Sequence, residues 1–274
     1  MIVQHATRRE WLEARLSGIG GSDAPAVLGK SPYATPYSVW ADRVFPTPID
    51  ESEIKGTPMY FGLRLERAIA EAACDMRGWT LIDLRAPGAF CASVVVDAEP
   101  HLRSTPDFLV RDAAGRIGVL QIKNVDISKR DEWSDGVGPV EYEIQVQHEG
   151  MTCLTLEETP KFVALAALIG GNQSAIIERE LDTPFLSAWL DQAAAFWRCV
   201  ERKTPPPVDG RFETLRAAKR VWIERAKAIR ANGQMLTLGP EFVDLMAQRE
   251  RAAAAKKAAE QIAAETDARA LEAL

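Results

Sequence analysis

Residues 104–125, STPDFLVRDAAGRIGVLQIKNV, decide how this chain is read. Phe108-Leu109-Val110 is a short apolar run and Asp112-Ala113-Ala114-Gly115 has the composition of a turn. Ile117 to Val125 is rich in strand-forming residues, so the stretch predicts a β-hairpin. Folding the two arms about that turn sets Asp107 opposite the region of Leu120 and Gln121. Side chains alternate between the faces of a strand, so Gln121 and Lys123 point one way while Leu120 and Ile122 point the other. One face of the hairpin then gathers a carboxylate, an amide oxygen and an ammonium. Oxygen donors beside a lysine suit a hard cation such as Mg²⁺, and the lysine can steady a water or the charge that builds on a phosphate. A hairpin with one wet face accounts for the same residues, so the choice turns on the remainder of the chain.

The chain has 274 residues, 47% hydrophobic and 26% charged, which fits one large globular domain or a domain with an appendage. A formal net charge of −6 argues against a protein that coats nucleic acid through bulk positive charge, while leaving room for a local basic channel. Cys74, Cys91, Cys153 and Cys199 are scattered, with no C-x-x-C pair. Free thiols in a reducing cytosol follow, with neither a disulfide frame nor an iron–sulfur cluster. No N-terminal stretch carries the apolar core of a signal peptide. The longest apolar run, Phe162 to Ile169, is too short to cross a membrane and predicts a buried strand.

Taken in order, Thr7 to Leu16 predicts a helix with Trp11, Leu12 and Leu16 on one face. Ser17-Gly18-Ile19-Gly20-Gly21-Ser22-Asp23 follows, leading into the apolar Ala24 to Leu28. A glycine-rich turn ending in Ser-Asp is expected to cap that helix, with free backbone N–H groups forming an anion site to which Arg15 adds charge. A plain capped turn is the alternative. Tyr37 to Arg43 and Met59 to Met76 are predicted helices, separated by an irregular polar segment from Pro46 to Pro58. On the second helix Gly62 and Glu66 are four apart and share a side. The glycine would admit a close backbone or ligand, and Glu66 would look into the same cavity or else pair with Arg67 at the surface. Trp79 to Leu84 and Phe90 to Val96 predict strands leading into the hairpin, and Val140 to Leu154 predicts a helix. Its Gln145 can reach a phosphate or a base edge without charge. Lys161 to Gly170 and Ser174 to Glu180 predict a second hairpin, and Pro184 to Val200 an amphipathic helix.

R-x-x-G-I-G-G-S-D before an apolar helix, then G-x-x-x-E, S-T-P-D, Q-I-K and Y-x-x-Q-V-Q occur in one order from about Arg15 to Pro207. Together they resemble the YqaJ-type, lambda exonuclease-like phage recombination nucleases of the PD-(D/E)xK superfamily. The resemblance implies an α/β, restriction-endonuclease-like core with a mixed central β-sheet flanked by helices. It implies Mg²⁺-dependent hydrolysis of DNA phosphodiesters, with Mn²⁺ as substitute, by a 5′→3′ exonuclease acting on double-stranded ends. It further implies a toroidal homotrimer working with a single-strand annealing protein, phage- or prophage-encoded, in the cytoplasm of a bacterial host.

By position, Asp107 is the implied metal ligand and Lys123 the catalytic lysine, with Glu66 an additional acid on the metal or its water. Gln121 and the Ile122 backbone carbonyl complete the implied metal set. Arg15 and Ser22 match the 5′-phosphate pocket, with Thr105 at a neighbouring slot; Gln145 matches the glutamine of the supporting helix, and Gln147 is the alternative. The departure from the family pattern is Gln121, which stands where the motif has an acid. An amide oxygen ligates Mg²⁺ but brings no negative charge, so weaker ion binding is expected. This residue also keeps open a DNA-end-binding scaffold that no longer cuts; an endonuclease of the same fold is a further alternative.

Pro205-Pro206-Pro207 sets an expected boundary between a nuclease domain, residues 1–207, and a C-terminal helical extension, residues 208–274. From Arg211 to Arg230 basic residues outnumber acidic ones, which suits either a track for the DNA backbone or a solvated amphipathic helix. The Ala-rich remainder carries no clean heptad.

Overall fold

The computed structural model describes residues 1–49, 55–233, 235, 237 and 239–272. Residues 50–54 of the expected irregular segment, and the last two residues of the chain, lie outside it. The elements begin with β1 (Ile2–His5), α1 (Arg8–Arg15), a 3₁₀ turn (Gly21–Asp23), α2 (Ala24–Val27), α3 (Pro36–Val44) and α4 (Pro58–Arg77). Then come β2 (Thr80–Ile82), β3 (Cys91–Val95), β4 (Arg103–Ser104), β5 (Phe108–Arg111) and β6 (Ile117–Val125). A 3₁₀ stretch (Ile127–Trp133), α5 (Val140–Cys153), β7 (Phe162–Ile169), β8 (Gln173–Glu180) and α6 (Thr183–Glu201) follow, and α7 (Phe212–Ala231) and α8 (Pro240–Glu272) close the chain.

The hairpin predicted from residues 104–125 forms as β5 and β6, with Phe108 opposite Leu120 and Arg111 opposite Ile117. Gly115 takes the left-handed φ of 81° that its turn requires. The hairpin sits in a five-stranded sheet of order β2-β5-β6-β7-β8. Only β6 and β7 run parallel, Gly118 pairing with Phe162 and Val125 with Ile169, so the sheet is mixed as expected. α5 occupies the crossover between them, which a parallel pair needs.

Strand alternation decides what each face carries. Phe108, Val110, Leu120 and Ile122 pack with Phe162, Ala164 and Ala166 against Ile69, Ala70, Ala73 and Cys74 of α4. Leu109, Val119, Val125, Val163 and Leu165 pack on the other face with Val146 and Cys153 of α5. Gln121 and Lys123 share the parity of Val119 and Val125, so the same alternation turns them toward α5.

α4 starts where Thr57 Oγ1 accepts from the Tyr60 N–H, with Pro58 at the first position, and ends at Gly78, whose φ of 68° is left-handed. On α5, His148 is wholly buried. Trp189 Nε1–H of α6 donates to its Nδ1 at 2.9 Å, and its Nε2–H donates to the Arg103 carbonyl of β4 at 2.8 Å. Burial holds this imidazole below its ordinary pKa, in agreement with a neutral ring that accepts on one nitrogen and donates on the other.

Two further features complete the fold. β3 does not join the central sheet; it pairs with β1 and β4 in a separate antiparallel sheet, His5 opposite Cys91 and Val94 opposite Ser104. The sequence predicts β3 as a strand, but β1 pairs with it from the far N-terminus and β4 is only two residues long, so no local pattern announces the pairing. The chain also divides into units at residues 1–222 and 223–274, within α7. Ala217 and Val221 belong to the core of the first unit with Trp40, Trp189 and Phe196, so that unit continues past the triple proline. α8 buries no residue, in keeping with its lack of an apolar stripe.

Candidate active site

Pro106 has no N–H and cannot continue β5 as a full ladder strand, so β5 leaves β6 just beyond the Phe108–Leu120 pair. Asp107 takes over there. Its Oδ2 accepts from the Ile122 N–H at 2.7 Å and from Gln121 Nε2 at 2.6 Å. The carboxylate therefore ends the hairpin ladder and faces a cavity of about 440 Å³. Glu66, Gln121, Gln145, Glu149, Arg15, Ser22 and Thr105 line the same cavity. The acids at 66 and 107, one on α4 and one just before β5, thus open onto one space.

Lys123 stands beside this cavity rather than in its wall. Its Nζ donates to Gln145 Oε1 at 3.1 Å and lies 4.6 Å from the centre of the Tyr142 ring. Gln145 Nε2 in turn donates to Glu149 Oε1 at 2.9 Å. One amide thus ties the ammonium to a carboxyl that the sequence reading did not include. The signal for Glu149 was available in the helical period, because it lies four residues after Gln145 on the same face of α5.

Glu66 is not a surface residue paired with Arg67. Its Oε1 lies 3.5 Å from an Arg85 guanidinium nitrogen, and Arg85 is held by Asp83 through its Nε–H at 2.8 Å. Arg67 pairs with Asp83 at 2.6 Å instead. Arg85 also lies over the Phe108 ring. Sequence reasoning missed both Arg85 and Asp83, which sit in a loop with no motif. A Cβ on Gly62 would meet nothing within 4 Å, so no other described part of the chain makes a close approach there.

The Ser22-Asp23 turn also differs from expectation. α2 is a single turn, and Asp23 does not cap it outward. Asp23 Oδ2 accepts from the Gly20 N–H at 2.9 Å and pairs with the buried Arg43 guanidinium, which locks the loop from beneath. What the loop presents to the cavity is Ser22, whose Oγ accepts from Arg15 at 2.8 Å. Thr105 Oγ1 accepts from Trp11 Nε1–H at 3.1 Å and shares a hydrogen bond with Ser93. Gln147 lies elsewhere: its amide donates to the Glu180 carbonyl and accepts from the Asp182 N–H, because one residue step beyond Val146 turns it toward β8 and away from Gln145. Ile122 contributes its N–H to Asp107 and its side chain to the core facing α4.

Crowding of acids sets the electrostatics. Burial, then the Asp107 charge, pushes the Glu66 carboxyl up to about 7. Burial, then Asp107 again, pushes Glu149 up to about 8. Burial raises Asp107 as well, opposed by Lys123 and the Ile122 N–H. Two buried oxygens in the cavity wall, Gln121 Oε1 and Glu149 Oε2, have no hydrogen-bond partner. Among the described residues no three His, Cys, Asp or Glu side chains form a ready-made metal cage. The donors here are carboxylates interleaved with an amide, all oxygen, and two of them are unsatisfied. That chemistry fits a hard divalent cation, which would relieve the repulsion and partner the orphaned oxygens.

A family model described as the YqaJ-like viral recombinase domain matches residues 10–153. The chain is 29% identical over 191 residues to the uncharacterized protein YqaJ of Bacillus subtilis (strain 168), a match covering 70% of this chain and 56% of that relative's length. Among solved structures, the alkaline exonuclease LHK-Exo of Laribacter hongkongensis superposes with a TM-score of 0.53 at 18% identity, over 80% of this chain and 98% of that one. Its complex with dAMP matches equally, with a TM-score of 0.53. No helix among the described residues is long and apolar enough to cross a membrane.

Proposed function

The chain belongs to the YqaJ-like viral recombinase family and has the PD-(D/E)xK type of α/β fold; from this premise we propose that it is a deoxyribonuclease of homologous recombination. Its substrate is linear double-stranded DNA, degraded exonucleolytically from the 5′ end in the presence of Mg²⁺ or Mn²⁺. The observation that carries this reading is the single cavity in which Asp107, Glu66 and Gln121 meet beside Lys123, with Arg15 and Ser22 on its wall.

Asp107, Glu66 and the Gln121 amide oxygen would hold the ion, which when bound supplies Lewis-acid polarisation of the scissile phosphate and a more acidic water. The chain's own groups do the rest. Lys123, positioned by Gln145 and Tyr142, sets an ammonium beside the reacting phosphate to orient a water and offset developing charge. Gln145 holds that lysine in place. Arg15, braced by Ser22 and lying against the Trp11 ring, offers a guanidinium fork to a terminal phosphate. The family resemblance supports a ring of three copies around DNA and a single-strand annealing protein as partner.

End-labelled linear duplex separates the possibilities. Digestion that needs a divalent ion and a free end supports the exonuclease; cutting of a covalently closed circle points to an endonuclease instead. Gln121 favours one second reading, an end-binding scaffold, and absence of digestion with either ion alongside retained end binding would select it. Arg15→Ala is expected to lower the rate on 5′-phosphorylated ends by about 10-fold or more while changing the rate on 5′-hydroxyl ends little, since one charge-assisted phosphate contact amounts to roughly 1.5–3 kcal/mol. Equal losses on both ends would remove Arg15 from the phosphate pocket.

A further inference from the structure

Gln121 leaves the site one negative charge short, and the helix packed on β6 carries a buried carboxylate with no assigned role. We propose that Glu149 supplies the missing carboxylate: it is a ligand of the divalent ion, so the acidic position has moved from the strand to α5. The inference rests on the divalent-ion reading of the cavity given above.

Glu149 is 1% exposed and lies in the cavity wall with Asp107 and Gln121. Only one of its oxygens is engaged, Oε1 by Gln145 Nε2 at 2.9 Å; Oε2 has no partner. Leaving a buried carboxyl oxygen unpaired is destabilising, so a residue with only a structural task would be better replaced by an apolar one. Gln121 mirrors it. Its amide nitrogen is taken by Asp107, and its carbonyl oxygen, at the other end of the planar group, is orphaned in the same wall. Both residues, one on β6 and one on α5, line the cavity that Asp107 also faces, and each keeps a buried oxygen without a partner.

The loop below is shaped to admit Glu149. A Cβ on Gly21 would come within 2.9 Å of Glu149 Cγ and 3.0 Å of its Cδ, and closer still to Oε1. The second glycine of the Gly-Gly pair therefore makes room for this carboxylate. The helical period adds register: Gln145 and Glu149 share the face of α5 that meets the Gln121 and Lys123 side of the sheet. With Glu149 included, the donors are carboxylates and an amide oxygen, the set that Mg²⁺ and Mn²⁺ prefer.

Calorimetric titration of the full-length protein with MnCl₂ tests this, beside thermal melting in EDTA. E149Q is expected to bind Mn²⁺ about 10-fold or more weakly than wild type. Its melting temperature in EDTA should be unchanged or higher, because an amide oxygen accepts the same Gln145 hydrogen bond and a buried acid has been removed. The double variant Q121E/E149Q, which returns the charge to the strand, should recover most of the affinity. D107N serves as the reference and should bind no Mn²⁺. Wild-type affinity in E149Q with binding lost in D107N overturns the Glu149 assignment and leaves the site reading standing. If wild type itself takes up no Mn²⁺ at millimolar concentration, both are overturned. E149D decides the matter should the amide prevent folding: it keeps the charge but withdraws it by one methylene, so weakened binding supports ligation and unchanged affinity overturns it.

Discussion

Asp107→Asn is expected to abolish Mg²⁺-dependent digestion of linear duplex, by about 10³-fold or more, without unfolding the protein. The fold should tolerate the change because an asparagine oxygen can accept the same two hydrogen bonds, from the Ile122 N–H and Gln121 Nε2. What disappears is the charge at the centre of the acid cluster. After burial, that charge is what lifts both Glu66 and Glu149, so its removal relieves repulsion between the acids while removing the anchor for a cation. Lys123→Ala should have an effect of similar size through a different cause, taking away the only ammonium joined to Gln145 among the described residues. Release of label from a 5′-end-labelled duplex, with circular dichroism as a check on folding, measures both. Undiminished release by either well-folded variant would remove the mechanism proposed here.

His148→Ala is expected to cost about 3–5 kcal/mol of stability, a drop of about 10 °C in melting temperature for a unit of this size. The ring is fully buried and joins elements that are far apart in sequence, α6 through Trp189 and β4 through the Arg103 carbonyl. Truncation leaves a cavity, an indole N–H and a carbonyl without partners, and each orphaned group is penalised separately. Differential scanning calorimetry gives the midpoint. An unchanged midpoint would show that water replaces the imidazole at little cost and that this link is not structural. Removal of the exposed Glu13, which pairs with Arg9 one turn away, should leave the midpoint where it is.

Much of this molecule is legible in its sequence because the signals are local. The alternation from Phe108 to Val125 sets both the hairpin and the face on which Gln121 and Lys123 appear, and the caps and apolar stripes of α4 and α6 define those helices. The ordered motifs from Arg15 onward were enough to bring Glu66, Asp107, Gln121, Arg15 and Ser22 together on paper, and all of them line one cavity in the fold. The β1–β3–β4 sheet was not legible, since a strand as short as Arg103–Ser104 has no periodicity to detect and β1 reaches β3 from the N-terminal end of the first unit's sequence. The choice between Gln145 and Gln147 was equally hidden. α5 is buried from Ile144 to Cys153, so apolar spacing does not say which of its polar residues faces the cavity and which faces β8.

The sequence by itself determined the strand that carries Gln121 and Lys123, the helix that carries Glu66, and the absence of an acid where the motif expects one. Tertiary packing alone decided that Glu149 arrives beside Gln121. Those residues are 28 positions apart and share no local period, and only the seating of α5 across the β6–β7 pair brings an unpaired carboxylate oxygen to the wall that an unpaired amide oxygen already occupies.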